Sequence, residues 1–439
     1  MQTTIQSTTI PPRRDTSFTI LKALAILCVV LSHAGGPGWL GAFVFQFHVP
    51  VFFICAGYFF NTRYLTDEKT FLRRRFRGLY LPFIRWSIFF LVIHNLLFPL
   101  GILSEAYGNA AGGVTHPYSW HVFCQRLWSI VFNMSGYDEF LCGAYWFFRA
   151  LFLSSIAFLF LFKILRHCCP TASNARLALS VLCIGLLLCL WQTSADLRIS
   201  GVGQGGYREL CGLSFMALGF LYKEYRSRIV LGWRSALGAF VILVLGAHFV
   251  RSSMGSHHTL WQFLPLIPFA LAGFVFVYWL STRIDSRENM LRTTLIYIGD
   301  RTLYVFAFHL LAFKVVSAIK VAWYHLDWEH VGGHTVVNYH ASDDFFFVLY
   351  LVVGIALPLG WISLYRWLEA RYHFTLRYDT LFSAGTLSLA AHYVYVALRF
   401  TMTLIHRILR GLIFGVWHGI KSTIQGMKDI ISASNPRDE

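Results

Sequence analysis

Ten runs of about 20 mostly apolar residues divide positions 17–367 of the chain. A helix needs roughly this length to cross the hydrocarbon core of a bilayer. Charged residues make up only 13% of the sequence, whereas a soluble domain typically carries about 25%. The sequence therefore predicts an all-α integral membrane protein, a bundle of about ten transmembrane helices. The runs lie at 17–35, 42–60, 79–99, 144–165, 177–193, 207–223, 231–250, 260–281, 300–319 and 345–367.

The distribution of basic residues predicts the orientation of this bundle. When the N-terminus is placed in the cytoplasm, every inner loop is rich in Lys and Arg, and the outer loops hold few. Arg13 and Arg14 precede the first run, and the densest basic cluster lies beside the third. The formal net charge of +16 is therefore divided among loops between apolar spans, which argues against a nucleic-acid partner.

The predicted spans define three parts of the chain. Residues 1–16 form a cytoplasmic N-terminal segment, and residues 17–370 form the ten-helix membrane domain. Residues 371–439 contain an apolar stretch and then a segment in which apolar positions alternate with Arg and Lys. This second pattern is typical of a basic amphipathic helix on the anionic inner leaflet. An eleventh span followed by a tail is the alternative.

Two ionisable residues lie on one face of the first predicted span. Lys22 and His33 are eleven positions apart, which on a helix leaves them within about 20° of each other and roughly 16 Å apart along the axis. His48 opens the second span after a short Gly-rich connection, at a depth similar to that of His33. Histidine is well suited to take a proton from a hydroxyl near neutral pH. A snorkelling lysine and an interfacial histidine are the alternative interpretation.

An arginine cluster marks the inner end of the third span, in the sequence LRRRFRGLYLPF at 72–83. Arg74 and Arg77 are three positions apart, so an α-helix would present them on one face. Guanidinium groups bind phosphate through paired hydrogen bonds. A cytoplasmic anchor that contacts lipid headgroups is the alternative.

Further polar residues stand near the ends or the middle of other spans. Trp146 and Arg149 open the fourth span, where an interfacial aromatic belt accounts for the tryptophan more readily than for the arginine. Arg208 and Glu209 are predicted to form a local ion pair. His309 lies near the middle of the ninth span, where hydrogen bonding between packed helices is as good an explanation as catalysis.

The outer stretch at 320–344 collects several His, Asp and Glu residues. Such residues suggest a metal site, but their spacing fits no recognised ligand pattern. A solvated loop is the favoured interpretation, and no metal is expected.

Three motifs resemble a known family. Lys22, ten residues and His33 match its first-span signature of a basic residue, ten residues and a histidine. The sequence FHVPVFFICAGYFF at 47–60 matches its second-span pattern, and Arg74 to Arg77 match its Arg-x-x-Arg motif. The chain thus resembles acyltransferase family 3 of membrane O-acyltransferases, in particular the fucose O-acetylase-like branch that acts on bacterial polysaccharide.

Weaker similarity to the same family occurs at 145–152 and 297–310, so that the resemblance covers nearly all of 15–370. One departure concerns the position three residues before Lys22, where this branch often has Asp and this chain has Thr19.

The resemblance implies an O-acyltransferase that uses acetyl-CoA as donor and a sugar or polysaccharide hydroxyl as acceptor. It implies that His33 is the essential catalytic residue, that Lys22 is its partner along the helix, and that the cluster around Arg74 and Arg77 binds the donor's phosphates. We include His48 with the catalytic residues, and we expect Arg73 to join the phosphate contact.

Trp146, Arg149 and His309 are then the candidate substrate-binding residues. The expected location is the bacterial cytoplasmic membrane, with membrane lipids as further partners, and the sequence leaves homo-oligomerisation open. Direct transfer with His33 as general base and transfer through an acetyl-His33 intermediate are both open at this point. A multi-span transporter or flippase for a glycan intermediate is the alternative function.

Overall fold

A computed structural model describes residues 15–108, 114–200, 202–255 and 259–372, together with residues 422 and 425. Helices dominate the described residues, and no strand occurs among them. Sixteen α-helices follow one another along this part of the chain: α1 (Thr16–His33), α2 (Gly38–Phe45), α3 (Pro50–Tyr58), α4 (Glu68–Arg75), α5 (Leu81–Leu97), α6 (Trp120–Asn133), α7 (Glu139–Cys142), α8 (Trp146–Cys168), α9 (Asn174–Ser194), α10 (Tyr207–Tyr225), α11 (Trp233–Phe249), α12 (Leu260–Phe263), α13 (Leu266–Asp285), α14 (Met290–Gly299), α15 (Thr302–Trp323) and α16 (Phe346–Tyr372).

The all-helical membrane bundle predicted from the sequence is confirmed. Eight helical segments among the described residues are long and apolar enough to cross a membrane. The two other predicted spans correspond to α10 and α11: α11 has only 17 residues, and α10 carries charged residues near both ends. α10 packs against α3, α8 and α9. The predicted C-terminal segment at 371–439 lies almost entirely outside the described residues.

Glycines bring several helices into backbone contact. A Cβ added at Gly57 of α3 would lie 1.9 Å from the carbonyl oxygen of Met216, and one added at Gly219 of α10 would lie 1.9 Å from that of Ile54. The two helices therefore touch through a reciprocal pair of glycines. Membrane helices use such small residues for close packing, because the hydrophobic effect does not drive helices together within lipid.

Two of the membrane-crossing segments are not continuous α-helices. The second span is interrupted by a turn at residues 46–49, and Pro50 occupies the first turn of α3, where it costs no helical hydrogen bond. The third span joins α4 to α5 through a π-helix at Phe76–Tyr80. Short π segments within α-helices are frequent at functional sites. Both interruptions lie where the sequence predicts functional residues.

Candidate active site

A cavity of about 490 Å³ runs along one face of α1. The α1 residues that line it are Lys22, Ile26, Val29 and His33, spaced four, three and four positions apart. This spacing follows a single helical face, because residues three or four apart are neighbours on a helix. The structure thus places Lys22 and His33 on one face of α1, as the sequence predicts.

The remaining walls come from the helices around α1. His48 and a row of apolar residues line the cavity from α2, α3 and the turn between them, Trp146 and Phe147 from α8, and Thr302 and Phe306 from α15. Among the described residues that line the cavity, Lys22 and Arg75 carry the formal charges, and none is Asp or Glu. The cavity is therefore a mostly apolar chamber with basic groups.

Four histidines gather around the outer end of the cavity. The ring centroids of His33 and His309 lie 5.5 Å apart. His33 also interacts electrostatically with His48 and His334. His309 was predicted as a substrate-binding residue; the structure packs it behind His33, and it is not among the residues that line the cavity. The cluster joins residues that are up to 301 positions apart in sequence, so spacing alone does not reveal it.

Hydrogen bonds to backbone carbonyl groups fix which ring nitrogen carries the proton in two of these histidines. His48 Nδ1 lies 2.6 Å from the carbonyl oxygen of Val44, and His309 Nδ1 lies 2.9 Å from that of Phe306. A carbonyl oxygen only accepts hydrogen bonds, so both Nδ1 atoms carry the proton. In the neutral imidazole the Nε2 atom is then a bare acceptor. Nε2 of His309 is buried and has no hydrogen-bond partner among the described residues.

The loop at 328–337 covers the outer end of α1. Thr335 Oγ1 donates to the carbonyl oxygen of His33 at 3.0 Å, and His334 Nε2 donates to that of Glu139 at 2.9 Å. Lys314 of α15 donates to the carbonyl oxygens of Val331 at 2.9 Å and Gly333 at 2.7 Å. The loop is thereby held over His33 by α15 and by α7.

Burial lowers the pKa of His334 below its ordinary value, and the Lys314 ammonium acts in the same direction. The hydrogen bond to the Glu139 carbonyl and the charge of Asp138 partly oppose this shift. His334 is therefore a neutral hydrogen-bond donor near neutral pH.

A buried His–Asp pair that the sequence analysis missed positions α7. His94 Nδ1 donates to the Asp138 carboxylate, and both side chains are fully buried. The other carboxylate oxygen accepts from the backbone N–H groups of Phe140 at 2.8 Å and Leu141 at 3.1 Å, which begins α7. The pair lies outside the cavity and supports the helix to which His334 is bonded.

The inner end of the cavity carries an arginine that the sequence analysis did not single out. Arg75 lines the cavity, whereas Arg73, Arg74 and Arg77 are exposed and are not among its described lining residues. Arg74 instead donates to the Tyr64 hydroxyl at 2.7 Å. The expectation that Arg74 and Arg77 share a helical face assumes α-helical geometry, and the π-helix that begins at residue 76 breaks that assumption.

The predicted substrate residues of α8 have separate environments. Trp146 lines the cavity, but Arg149 is buried and forms an ion pair with Glu209 at 2.9 Å. The expected Arg208–Glu209 pair is therefore wrong. Arg208 instead lies over the Trp146 ring, 4.2 Å from its centroid, and donates to the carbonyl oxygen of Gly255 at 2.7 Å.

A second cavity of about 330 Å³ adjoins the first near His33. The two share Phe45 and Ser253 as lining residues. Ser32 and Gly35, which flank His33 closely in sequence, line the second cavity as well. Its other described lining residues are Leu31, Gly36, Gly38, Leu40, Gly41, Ala42 and Arg251.

The model of an acyltransferase domain, that of acyltransferase family 3, matches residues 15–367. The chain belongs to this family. No curated protein and no solved structure shows a significant match to this chain. The match covers every helix that lines the cavity, so the cavity lies within the family domain. The apolar helices make this acyltransferase an integral membrane protein.

The position at which this acyltransferase departs from the fucose O-acetylase-like pattern lies at a helix contact. Thr19 is buried, and a Cβ added at Gly299 of α14 would lie 2.1 Å from its carbonyl oxygen. Thr19 is not among the described residues that line the cavity. The threonine therefore belongs to the packing between α1 and α14.

Proposed function

We propose that this acyltransferase moves an acetyl group from cytoplasmic acetyl-CoA to a hydroxyl of a sugar or polysaccharide at the bacterial cell envelope. The observation that carries the proposal is the cavity along α1, which joins Lys22 and Arg75 to His33 and His48. By the positive-inside rule Arg75 belongs to the cytoplasmic side, where acetyl-CoA is present, and His33 belongs to the outer half.

The donor is proposed to enter from the cytoplasmic side. Arg75 faces the cavity and is the phosphate contact in this proposal, with exposed Arg73, Arg74 and Arg77 adding a positive field around the entrance. The pantetheine arm then passes Lys22, and the thioester reaches His33. Lys22 lies roughly 16 Å from His33 along the helix axis, so it acts on the donor's charge and not on the reacting carbonyl.

The acceptor is proposed to approach from the outer side. The second cavity provides a route to His33 through Phe45 and Ser253. Trp146 offers an aromatic surface in the first cavity, and Arg208, which donates to the Gly255 carbonyl, lies over its ring. Arg149 is occupied by Glu209, which favours a supporting role for it over direct contact with sugar.

In the proposed reaction His33 is a general base. It removes the proton from the acceptor hydroxyl as that oxygen attacks the thioester carbonyl carbon, and the carbon–sulfur bond breaks. The proton on His33 then passes to the departing CoA thiolate, so that the imidazole is neutral again. The bare Nε2 of His48 accepts a hydrogen bond from the sugar and orients it.

The test uses membranes that carry the wild-type protein, His33→Ala or His121→Ala, the last replacing an exposed histidine outside the cavity. They receive acetyl-labelled acetyl-CoA and bacterial polysaccharide, and alkali-labile label in the glycan is counted. We expect His121→Ala to match the wild type and His33→Ala to fall to background. Equal labelling by His33→Ala would defeat the proposal. Glycan crossing the bilayer with no labelling would favour a transporter.

A further inference from the structure

A histidine that acts as a general base usually has its second ring nitrogen held by another group, which fixes the orientation of the ring. A carboxylate often does this, as in the serine-protease triad. Three described groups interact electrostatically with His33, namely His309, His48 and His334, and none of them is a carboxylate. The described neighbours of His33 that could orient its ring are therefore histidines.

His309 has the geometry for this role. Its ring centroid lies 5.5 Å from that of His33. An imidazole N–H···N hydrogen bond of about 3 Å joins rings whose centroids are roughly 5 Å apart, so a small rotation of one ring completes the bond. The His309 side chain is 1% exposed, and the Phe313 ring packs against it at 5.7 Å. It is a fixed partner, since buried and packed side chains keep a single rotamer.

The protonation state of His309 also suits the role of orienting His33. Nδ1 donates to the carbonyl oxygens of Val305 and Phe306, so Nε2 is the acceptor. That Nε2 atom is buried without a hydrogen-bond partner among the described residues. A buried acceptor without a donor is costly, which indicates that a donor reaches it in the working enzyme.

The other histidines of the cluster are less suited. The Nε2–H group of His334 is bound to the Glu139 carbonyl. His48 lines the cavity in which substrate would lie, and its Nδ1 donates to the Val44 carbonyl. His309 is the member of the cluster that lies against His33 and outside the cavity.

We infer that His309 is the positioning residue for His33: its Nε2 accepts the N–H of His33, so that the other nitrogen of His33 is bare and directed at the acceptor hydroxyl. This inference rests on the proposed role of His33 as general base. When His33 takes up the hydroxyl proton, the hydrogen bond to His309 strengthens, because charged donors form stronger bonds. The proton itself stays on His33 until the thiolate takes it.

Two substitutions separate this role from a structural one. His309→Asn keeps an N–H near the Nδ1 position, which can still donate to Val305 and Phe306, but removes the acceptor at Nε2. His309→Gln places an amide oxygen near the Nε2 position and loses the local donor. Initial rates of acetyl transfer are measured across acetyl-CoA concentrations for both variants and the wild type. Detergent-solubilised protein is checked by gel filtration, so that only folded protein is compared.

We expect His309→Asn to lower kcat by about 10- to 100-fold with little change in KM for acetyl-CoA, a part of the 10²–10⁴ that a general base supplies. His309→Gln should retain at least about tenfold more activity than His309→Asn. If His309→Asn is instead the more active of the two variants and is close to the wild type, His309 only stabilises α15, and the inference is overturned.

His33→Ala in the same assay keeps the two proposals apart. If His33→Ala is inactive while both His309 variants are as active as the wild type, the positioning role is wrong and the proposed function stands. If His33→Ala is as active as the wild type, the proposed function fails, and the inference fails with it.

Discussion

The two ends of the cavity are built in different ways. The outer end collects four histidines: His48 and His309 are buried and donate to backbone carbonyls, and the loop at 328–337 covers His33. The inner end has an arginine at the cavity and others exposed to solvent, on a segment that changes from α- to π-helix. A rigid environment with little water favours the acyl-transfer step, because the reacting groups must be held in alignment. An exposed basic surface suits capture of a charged ligand.

The difference predicts a separation of kinetic effects. Substitutions at the outer end should change kcat, because they alter groups that act in the transition state. Substitutions at the inner end should change KM for acetyl-CoA, because they alter binding that is the same before and during the reaction.

The largest effect is expected for His33→Ala. Loss of the general base should lower kcat by about 10²- to 10⁴-fold while KM for acetyl-CoA stays within about twofold. Steady-state rates with labelled acetyl-CoA measure both constants. A rise in KM at unchanged kcat would mean that His33 binds the donor, and the comparison between the ends would fail.

Next is the buried ion pair that supports the outer end. Glu209→Ala leaves the guanidinium of Arg149 buried without its carboxylate, and removal of one partner of such a pair costs about 3–5 kcal/mol. The control is Glu288→Ala, since Glu288 also pairs with an arginine but is 80% exposed. Thermal unfolding in detergent should show a lower Tm for Glu209→Ala and no measurable change for the control. Equal Tm values would show that the outer end does not depend on this pair.

A smaller effect is expected at the inner end. Arg75→Ala should raise KM for acetyl-CoA about 10- to 100-fold with kcat nearly unchanged, the range expected for a charged hydrogen bond. Arg73→Ala removes the same charge from an exposed position and should change KM by less than about threefold. If Arg74→Ala and Arg77→Ala raise KM as much as Arg75→Ala, the phosphates lie on the exposed cluster, as the family motif implies.

The smallest effect concerns the pH response of the covering loop. Burial lowers the pKa of His334 in the folded protein, so below its ordinary value of 6.5 the unfolded chain binds more protons than the folded one. Stability contributed by neutral His334 is therefore complete above pH 6.5 and decreases as the pH falls below it. Hydrogen exchange of residues 328–337 should quicken over this range in the wild type. In His334→Gln the exchange rate, corrected for its intrinsic pH dependence, should not change, and a persisting acceleration would assign it to another group.

The regular geometry of an uninterrupted α-helix explains why part of this site can be predicted from the sequence. The shared face of Lys22 and His33 follows from spacing because α1 is an uninterrupted α-helix. The order of the apolar runs likewise predicts the helical bundle. The same reasoning selects Arg74 and Arg77 over Arg75, since the sequence does not signal the π-helix that follows.

Contacts between distant segments account for what the sequence does not show. The approach of His309 to His33, the bond from Thr335 to the end of α1 and the Arg149–Glu209 pair each depend on how helices pack. The adjacent Arg208 is the more obvious partner for Glu209 in sequence. Neighbours on a helix point in different directions, however, and Arg208 reaches Trp146 instead.

The π-helix at Phe76–Tyr80 also affects how this segment tolerates a change in length. A single π turn holds one residue more than an α-helical turn, so loss of one residue there would restore continuous α-helix and leave Arg75 in its place at the cavity. Loss of a second residue would turn the preceding helix by about 100° and bring Arg74 into that place. The π turn and the run of arginines before it together allow this segment to shorten while a guanidinium stays at the entrance.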